Sequence, residues 1–191
     1  AVAWGNGPSG TVGTISESNS LVGNKKDDFS GTTITALHNG NYVVSASLWD
    51  NGSTTNVGAV TWGNGQTGTV GTINSSNSLI GAKSGDKVGA VTVALSDGNY
   101  ATASGECDNG ALANAGAEMF RKGGGGTDGV VSSANSVMGS EKDGKIGSGG
   151  LTPLRVGSVL GGVVVSSPLA QASSGNVTLF APSTTNEAGV L

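Results

Sequence analysis

One cysteine, one histidine and four prolines stand among 191 residues, only 12% of the chain is charged and 4% is aromatic. Each shortage excludes something. A single thiol, Cys107, cannot build an internal disulfide framework. Zinc sites draw on several Cys or His ligands, and this chain has Cys107 and His38 alone. With a net charge of −4 there is no basic stripe to neutralise phosphates, so nucleic acid is not the expected partner. The most apolar run, Val156 to Val165, is broken by Gly157, Gly161 and Gly162. It falls short of the roughly 18 residues of a membrane helix, so membrane insertion is not expected either. The chain starts at Ala1 without Met or a signal peptide, which suggests a processed product or a piece of something longer.

What is abundant is glycine, 35 residues, together with Val, Thr, Ser, Ala and Asn. Collagen is ruled out because the glycines have no three-residue period. The remainder suits half-buried strands and the turns between them. The segment GAVTWGNGQTGTVGTINSSNSLIG, Gly58 to Gly81, explains the order. Ala1 to Gly23 says nearly the same, and a worn copy begins at Ala117. Trp4, Trp62 and Phe120 recur at steps of 58 residues, as do Asn19, Asn77 and Asn135. A strict period of this size points to stacked modules or blades. The expected organisation is repeat one over residues 1–58, repeat two over 59–116, a divergent repeat three over 117–174, and the start of a fourth repeat or tail over 175–191.

Each module carries four short apolar stretches bounded by Gly, Asn and Asp, and none has helical periodicity over ten residues. In repeat two these are Ala59 to Trp62, Thr69 to Ile73 continuing at Leu79 and Ile80, Val91 to Leu95, and Asn99 to Ser104. The dipeptides Asn6-Gly7, Asn39-Gly40, Asn51-Gly52, Asn64-Gly65, Asp97-Gly98 and Asn109-Gly110 predict primed hairpin turns. Antiparallel neighbours follow. Naming Thr33 to Leu37 strand A, Asn41 to Ser47 B, Ala59 to Trp62 C and the Thr69 to Ile80 region D gives the order CD, ABCD, ABCD, ABC. In the last unit GVVVSS, Gly162 to Ser167, stands for B, and GNVTLF, Gly175 to Phe180, repeats C. The fold expected is all-β, built of four-stranded antiparallel, β-propeller-like blades. Radial repetition covers both faces of such blades and leaves only short edges. A β-solenoid is the alternative, disfavoured because a parallel coil does not use tight Asn-Gly hairpins.

From Gly40 to Gly65, GNYVVSASLWDNGSTTNVGAVTWGNG resembles the FG-GAP blade of integrin-type β-propellers. The small-residue turn is Ser45-Ala46-Ser47, with Ser166-Ser167-Pro168 in repeat three, and Gly58-Ala59-Val60-Thr61-Trp62 supplies the next strand. The whole module also resembles tandem repeats of large secreted bacterial proteins of the filamentous-haemagglutinin type. These resemblances imply an extracellular or cell-surface location. FG-GAP blades often carry an Asp-rich calcium loop between strands A and B. Here those loops read His38-Asn39-Gly40-Asn41 and Ser96-Asp97-Gly98-Asn99, with too few carboxylates for a cage of six to eight oxygens. No metal or other cofactor is expected.

The candidate chemistry is sparse. Cys107 stands where repeat one has Trp49 and reads as an apolar filler, since a nucleophile wants a nearby His. Asp50 and Asp108 precede Asn-Gly and read as turn formers. Asp27, Asp28, Asp86 and Asp143, each close to Lys, read as solvated loop tips, with a weak ion site as the lesser reading. Gly123 to Gly126 reads as a linker or slipped turn, since no Lys-Ser or Lys-Thr follows to make a phosphate loop. Trp4, Trp62, Phe120, Trp49, Tyr42 and Tyr100 read as rings packed between blades. The other reading is a set of sugar platforms, with Trp4, Trp62, Asn64, Trp49, Asp50 and Asn51 as the glycan or partner contacts. Sequons at Asn51, Asn74 and Asn176 matter only if the source glycosylates. The expectation is a non-catalytic, secreted, structural or adhesive repeat protein. Its partners would be copies of itself or the rest of a longer chain, with Gly175 to Phe180 free to add to another molecule's edge. A glycan-binding propeller module is the alternative.

Overall fold

The computed structural model describes residues 1–8, 10–126, 128–156, 159–169 and 175–180. It is all-β. In chain order the strands are β1 (Val2–Ala3), β2 (Ser20–Val22), β3 (Thr33–Ala36), β4 (Tyr42–Ala46), β5 (Ala59–Gly63), β6 (Gly71–Thr72), β7 (Leu79–Ile80) and β8 (Val91–Ala94). They continue as β9 (Tyr100–Ser104), β10 (Ala117–Arg121), β11 (Gly129–Val130), β12 (Val137–Met138), β13 (Gly150–Val156), β14 (Val159–Ser167) and β15 (Asn176–Phe180).

Four sheets form, in the phase predicted. β3, β4, β5 and β7 make one antiparallel blade-like sheet and β8, β9, β10 and β12 the next. They are flanked by the incomplete units β1–β2 and β13–β14–β15. The register repeats as well: Val43 faces Trp62, and 58 residues on Ala101 faces Phe120. Within the chain, strand β15 has a partner on one edge. It pairs with β14 as strand C of the last unit, Val165 facing Thr178.

The D region of repeat two is not one strand. Its first half, β6, leaves its own sheet and pairs in parallel with β2, Leu21 facing Gly71 and Val22 facing Thr72. Its second half, β7, closes its own sheet against β5. Repeat three does the same, with β11 parallel to β7. Gly71 and Gly129 open the donated strands at φ 104° and 102°, a region open to glycine and costly for other residues. Each blade is therefore stitched to the next by a donated parallel strand.

Some of the turns differ from the primed hairpins expected, and two agree. Asn39-Gly40 and Asp97-Gly98 close three-residue loops with only the glycine left-handed, φ 87° and 86°. The Leu37 N–H bonds the Asn41 carbonyl and the Gly40 N–H bonds Leu37, a type I turn with a glycine bulge. Asn51 and Asn109 instead face Thr54 and Leu112 across two-residue loops headed by left-handed Gly52 and Gly110. Asn64-Gly65 makes no hairpin: Asn64 Oδ1 accepts the N–H groups of Gln66 (2.8 Å) and Thr67 (3.1 Å).

The core lies between sheets. Leu21, Val44, Trp49, Val57, Ile73 and Ile80 form one layer, Leu37, Val43, Val60, Leu79, Tyr100 and Met119 a second, and Leu95, Ala101, Val163 and Val165 a third. The two- to five-residue strands β1 to β12 cannot enclose a core alone, so their sheets are buried by their neighbours.

Candidate functional site

The repeated polar residues gather at the two ends of each blade; at the first they bind the next module, and at the other they tie loops of their own repeat. At the first end the chain after strand C passes beneath the preceding blade. The Gly123 carbonyl accepts three donors from that blade: Asn39 Nδ2 (2.8 Å), Asn41 Nδ2 (2.9 Å) and Trp62 Nε1 (2.8 Å). The Gly123 N–H donates to Asn99 Oδ1 of its own blade (3.1 Å). One module earlier Trp4 Nε1 reaches the Gly65 carbonyl (3.2 Å) while the Gly65 N–H meets Asn41 Oδ1 (3.1 Å). A Cβ on Gly65 or Gly123 would fall on the carbonyl oxygen of Gly40 or Gly98. Gly123 is therefore a gripped, buried element of the junction and not part of a linker. His38 adds a further link, its Nδ1 lying 3.0 Å from the Leu95 carbonyl.

At the other end sit carboxylates. Asp28 and Asp86 are buried, at 2% and 1% exposure, and are not solvated loop tips. Asp86 Oδ2 accepts the N–H groups of Ala82 (2.8 Å) and Lys83 (2.7 Å), and its Oδ1 accepts that of Asp108 (2.9 Å). Asp28 does the same with Asn24, Lys25 and Asp50. Nothing in the sequence marks this, because burial of a carboxylate is offset by backbone donors that leave no side-chain signature. Asp27 and Asp143 do lie exposed.

Asp50 and Asp108 then hold the following loop. Their Oδ1 atoms accept the N–H groups of Asn56 (2.7 Å) and Asn114 (2.8 Å), residues in left-handed conformation at φ 51° and 49°. Lys25 Nζ lies 3.1 Å from Asp50 and Lys83 Nζ 3.4 Å from Asp108. The Asn56 N–H, and after it Lys25, hold the Asp50 carboxyl below its usual value of 3.8. Cys107 is buried in the second core layer. Burial, with the Asp86 and Asp108 charges behind it, pushes its thiol up to about 12. A thiol held protonated is not a nucleophile at neutral pH.

The residues singled out as glycan contacts do not form one cluster. Trp62 and Asn64 lie at the C-terminal end of β5, whereas Trp49, Asp50 and Asn51 follow the opposite end of the β4–β5 pair, where Ala46 faces Ala59. Trp49 is fully buried among Leu21, Val44 and Ile73. Trp4 and Trp62 are half-buried with Nε1 committed to the next module. Asn51 is exposed in its two-residue loop. Among the described residues no group of three or more His, Cys, Asp or Glu could hold a metal ion, and no helix is long and apolar enough to cross a membrane.

Fold and junctions together define an all-β protein of tandem modules, each incomplete without its neighbour. The profile of a repeat of unknown function, DUF5650, matches residues 1–32, 36–90 and 94–148, and the chain belongs to that family. The last two windows begin 58 residues apart, the period read from Trp4, Trp62 and Phe120. The match supports a tandem repeat and does not extend to the FG-GAP type. No curated protein matches the chain.

Proposed function

We propose that the chain is a non-catalytic tandem-repeat module of β-propeller-like blades, with a structural or adhesive role outside the cell or on its surface. The supporting observation is where the periodic side chains go. Trp62 and Asn41, which recur with the module, grip the adjoining module together with Asn39, while the recurring Asp86 and Asp108 tie loops of their own repeat. An enzyme's periodic scaffold would leave some polar groups converging on a substrate; here the carboxylates of Asp28, Asp86, Asp50 and Asp108 are filled by N–H donors of the chain and are not poised for proton transfer. The extracellular location rests on the resemblance to tandem repeats of large secreted bacterial proteins, whose low-Cys, Gly-, Ser-, Thr- and Asn-rich composition this chain shares. Partners of this reading are further copies of the module, in the same or another chain.

The experiment is a glycan array run with the full chain and Trp62→Ala, each with a melting curve. The structural reading expects no saturable glycan binding and a lowered melting temperature for Trp62→Ala. Saturable binding that Trp62→Ala abolishes at unchanged melting temperature would establish the glycan-binding alternative instead.

A further inference from the structure

Among the described residues the stitching strand has a donor without an acceptor at one end and an acceptor without a donor at the other. The donors that are seated are Gly71-Thr72-Ile73 on β2 and Gly129-Val130-Val131 on β7. Each is followed by one more ladder bond, Ile73 N–H to the Val22 carbonyl (3.0 Å) and Val131 N–H to the Ile80 carbonyl (2.9 Å). Seating buries the third residue, Ile73 to 1% and Val131 to 6% exposure.

Gly13-Thr14-Ile15 is the same element in repeat one, and no blade precedes it among the described residues. Its conformation is nevertheless already that of a seated donor. Gly13 has φ 114°, beside 104° and 102° for Gly71 and Gly129. Asn19 Nδ2 donates to the Thr14 carbonyl (2.9 Å) and Asn19 Oδ1 accepts the Ser16 N–H (2.9 Å). Asn77 and Asn135 make the same two bonds around the seated donors. The donor is thus preformed by its own Asn, and it leaves Ile15 61% and Val12 91% exposed.

At the far end β12 is the equivalent of β2 and β7. It pairs with β10 through Met138 and Ala117, and its other edge has no strand among the described residues. Val137 is 43% exposed where Leu21 and Leu79 are each 1%. A short apolar edge of this kind accepts an added strand.

We infer that Gly13-Thr14-Ile15 of one copy adds in parallel to β12 of a second copy, joining the molecules head to tail. Following the two seated pairs, Gly13 faces Val137, Thr14 faces Met138, and the Ile15 N–H bonds the Met138 carbonyl while its side chain is buried. The contact is heterologous, so it closes into a ring or grows as a filament according to the rotation between copies. The inference rests on the module-to-module reading above, but it adds a site, a register and a partner: another copy of this chain. β1 and β15 both hold the place of strand C, so docking also sets these two in competition for β14.

The test uses two full-length single variants, Thr14→Cys and Met138→Cys, mixed under mild oxidation. The expected product is a disulfide-linked pair of one variant with the other, in excess over like-with-like pairs. Adding Ile15→Asp to the first variant should lower its yield at least about tenfold, the scale set by burying one Ile side chain. Because Ile15 is exposed in the single copy, that variant should keep the parent's circular dichroism and melting temperature. Like-with-like pairs in equal yield, or a native mass of one chain at every concentration in light scattering, would overturn the inference. So would an intrachain disulfide in the variant carrying Val190→Cys and Met138→Cys. Gly189-Val190-Leu191 lies outside the described residues but repeats the donor pattern, and such a bond would mean that the chain's own end takes the edge. A single-chain mass with no glycan binding would remove this contact and leave the structural reading standing.

Discussion

The second and third modules have the same backbone framework with different side chains fastening it. In the second, the loop from Gly81 to Val88 is tied by its own turn and by Asp86. In the third, Gly144 stands for Asp86 and Glu141 for Lys83. The main-chain bonds persist: Gly85, Lys87 and Val88 donate to Thr55, Asn56 and Val57, and Asp143, Lys145 and Ile146 donate to Ala113, Asn114 and Ala115 in the same order. The ladder of N–H and carbonyl groups therefore sets the shape, and the buried carboxylate is a fastening added to it. The same is true at the other end, where Phe120 replaces Trp62 and loses its N–H donor.

The largest effect should come from making the second module resemble the third. Asp86→Ala removes the acceptor of three backbone N–H groups at a site 1% exposed. Leaving them unpaired should cost about 3 kcal/mol or more in denaturant unfolding. A loss below about 1 kcal/mol would mean that water satisfies those donors and that the carboxylate is not a fastening. Next in size is Trp62→Phe, which keeps the ring and withdraws one of the three donors on the Gly123 carbonyl. About 1 kcal/mol is expected. A loss as large as that of Trp62→Ala would show that the N–H, not the ring, carries the junction.

The reverse exchange sharpens the comparison. Gly144→Asp places a carboxylate where the third loop has none, and the new Cβ lies 3.2 Å from the Glu141 carbonyl oxygen, close but open to a small shift. Its expected gain is about 1 kcal/mol in the same unfolding measurement. No gain would mean that Glu141 repels the added charge, and Glu141→Lys in the same chain should then restore it.

The period, the strand phase and the final copy of strand C were legible because short apolar runs between Gly, Asn and Asp read as strands wherever they occur. The stitching was not. Thr69 to Ile80 looks like one strand with a break, and only a left-handed Gly71 with an Asn77 clamp shows that its halves belong to two sheets. Trp4 and Trp62 were legible as packing residues from their spacing, while their acceptor is a backbone carbonyl one module on and leaves no mark in composition. Gly65 and Gly123 could have been found: both survive at one position although Asn64 changes to Lys122 beside them, which is what a steric requirement produces. Asp28 and Asp86 could not, since an acidic residue beside Lys in a polar loop looks the same whether its partners are water or main-chain N–H groups.

The smallest effect concerns the first module against acid. Asp50 is held below 3.8 first by the Asn56 N–H and then by Lys25. A depressed folded value means that the carboxylate stabilises the fold fully above about pH 3.8, the unfolded value, and that this contribution is lost as pH falls through the folded value. Asp50→Asn should therefore flatten the fall in stability below about pH 3.8 while leaving the profile between pH 5 and 8 parallel to the parent's. Added salt separates the two causes. It screens the exposed Lys25 pair and leaves the hydrogen bond from Asn56, so in 1 M salt most of the difference between parent and variant should remain. If salt removes it, the ion pair is what fastens the first module's loop. The replacement of Lys83 by Glu141 in the third module would then count for more than the loss of Asp86.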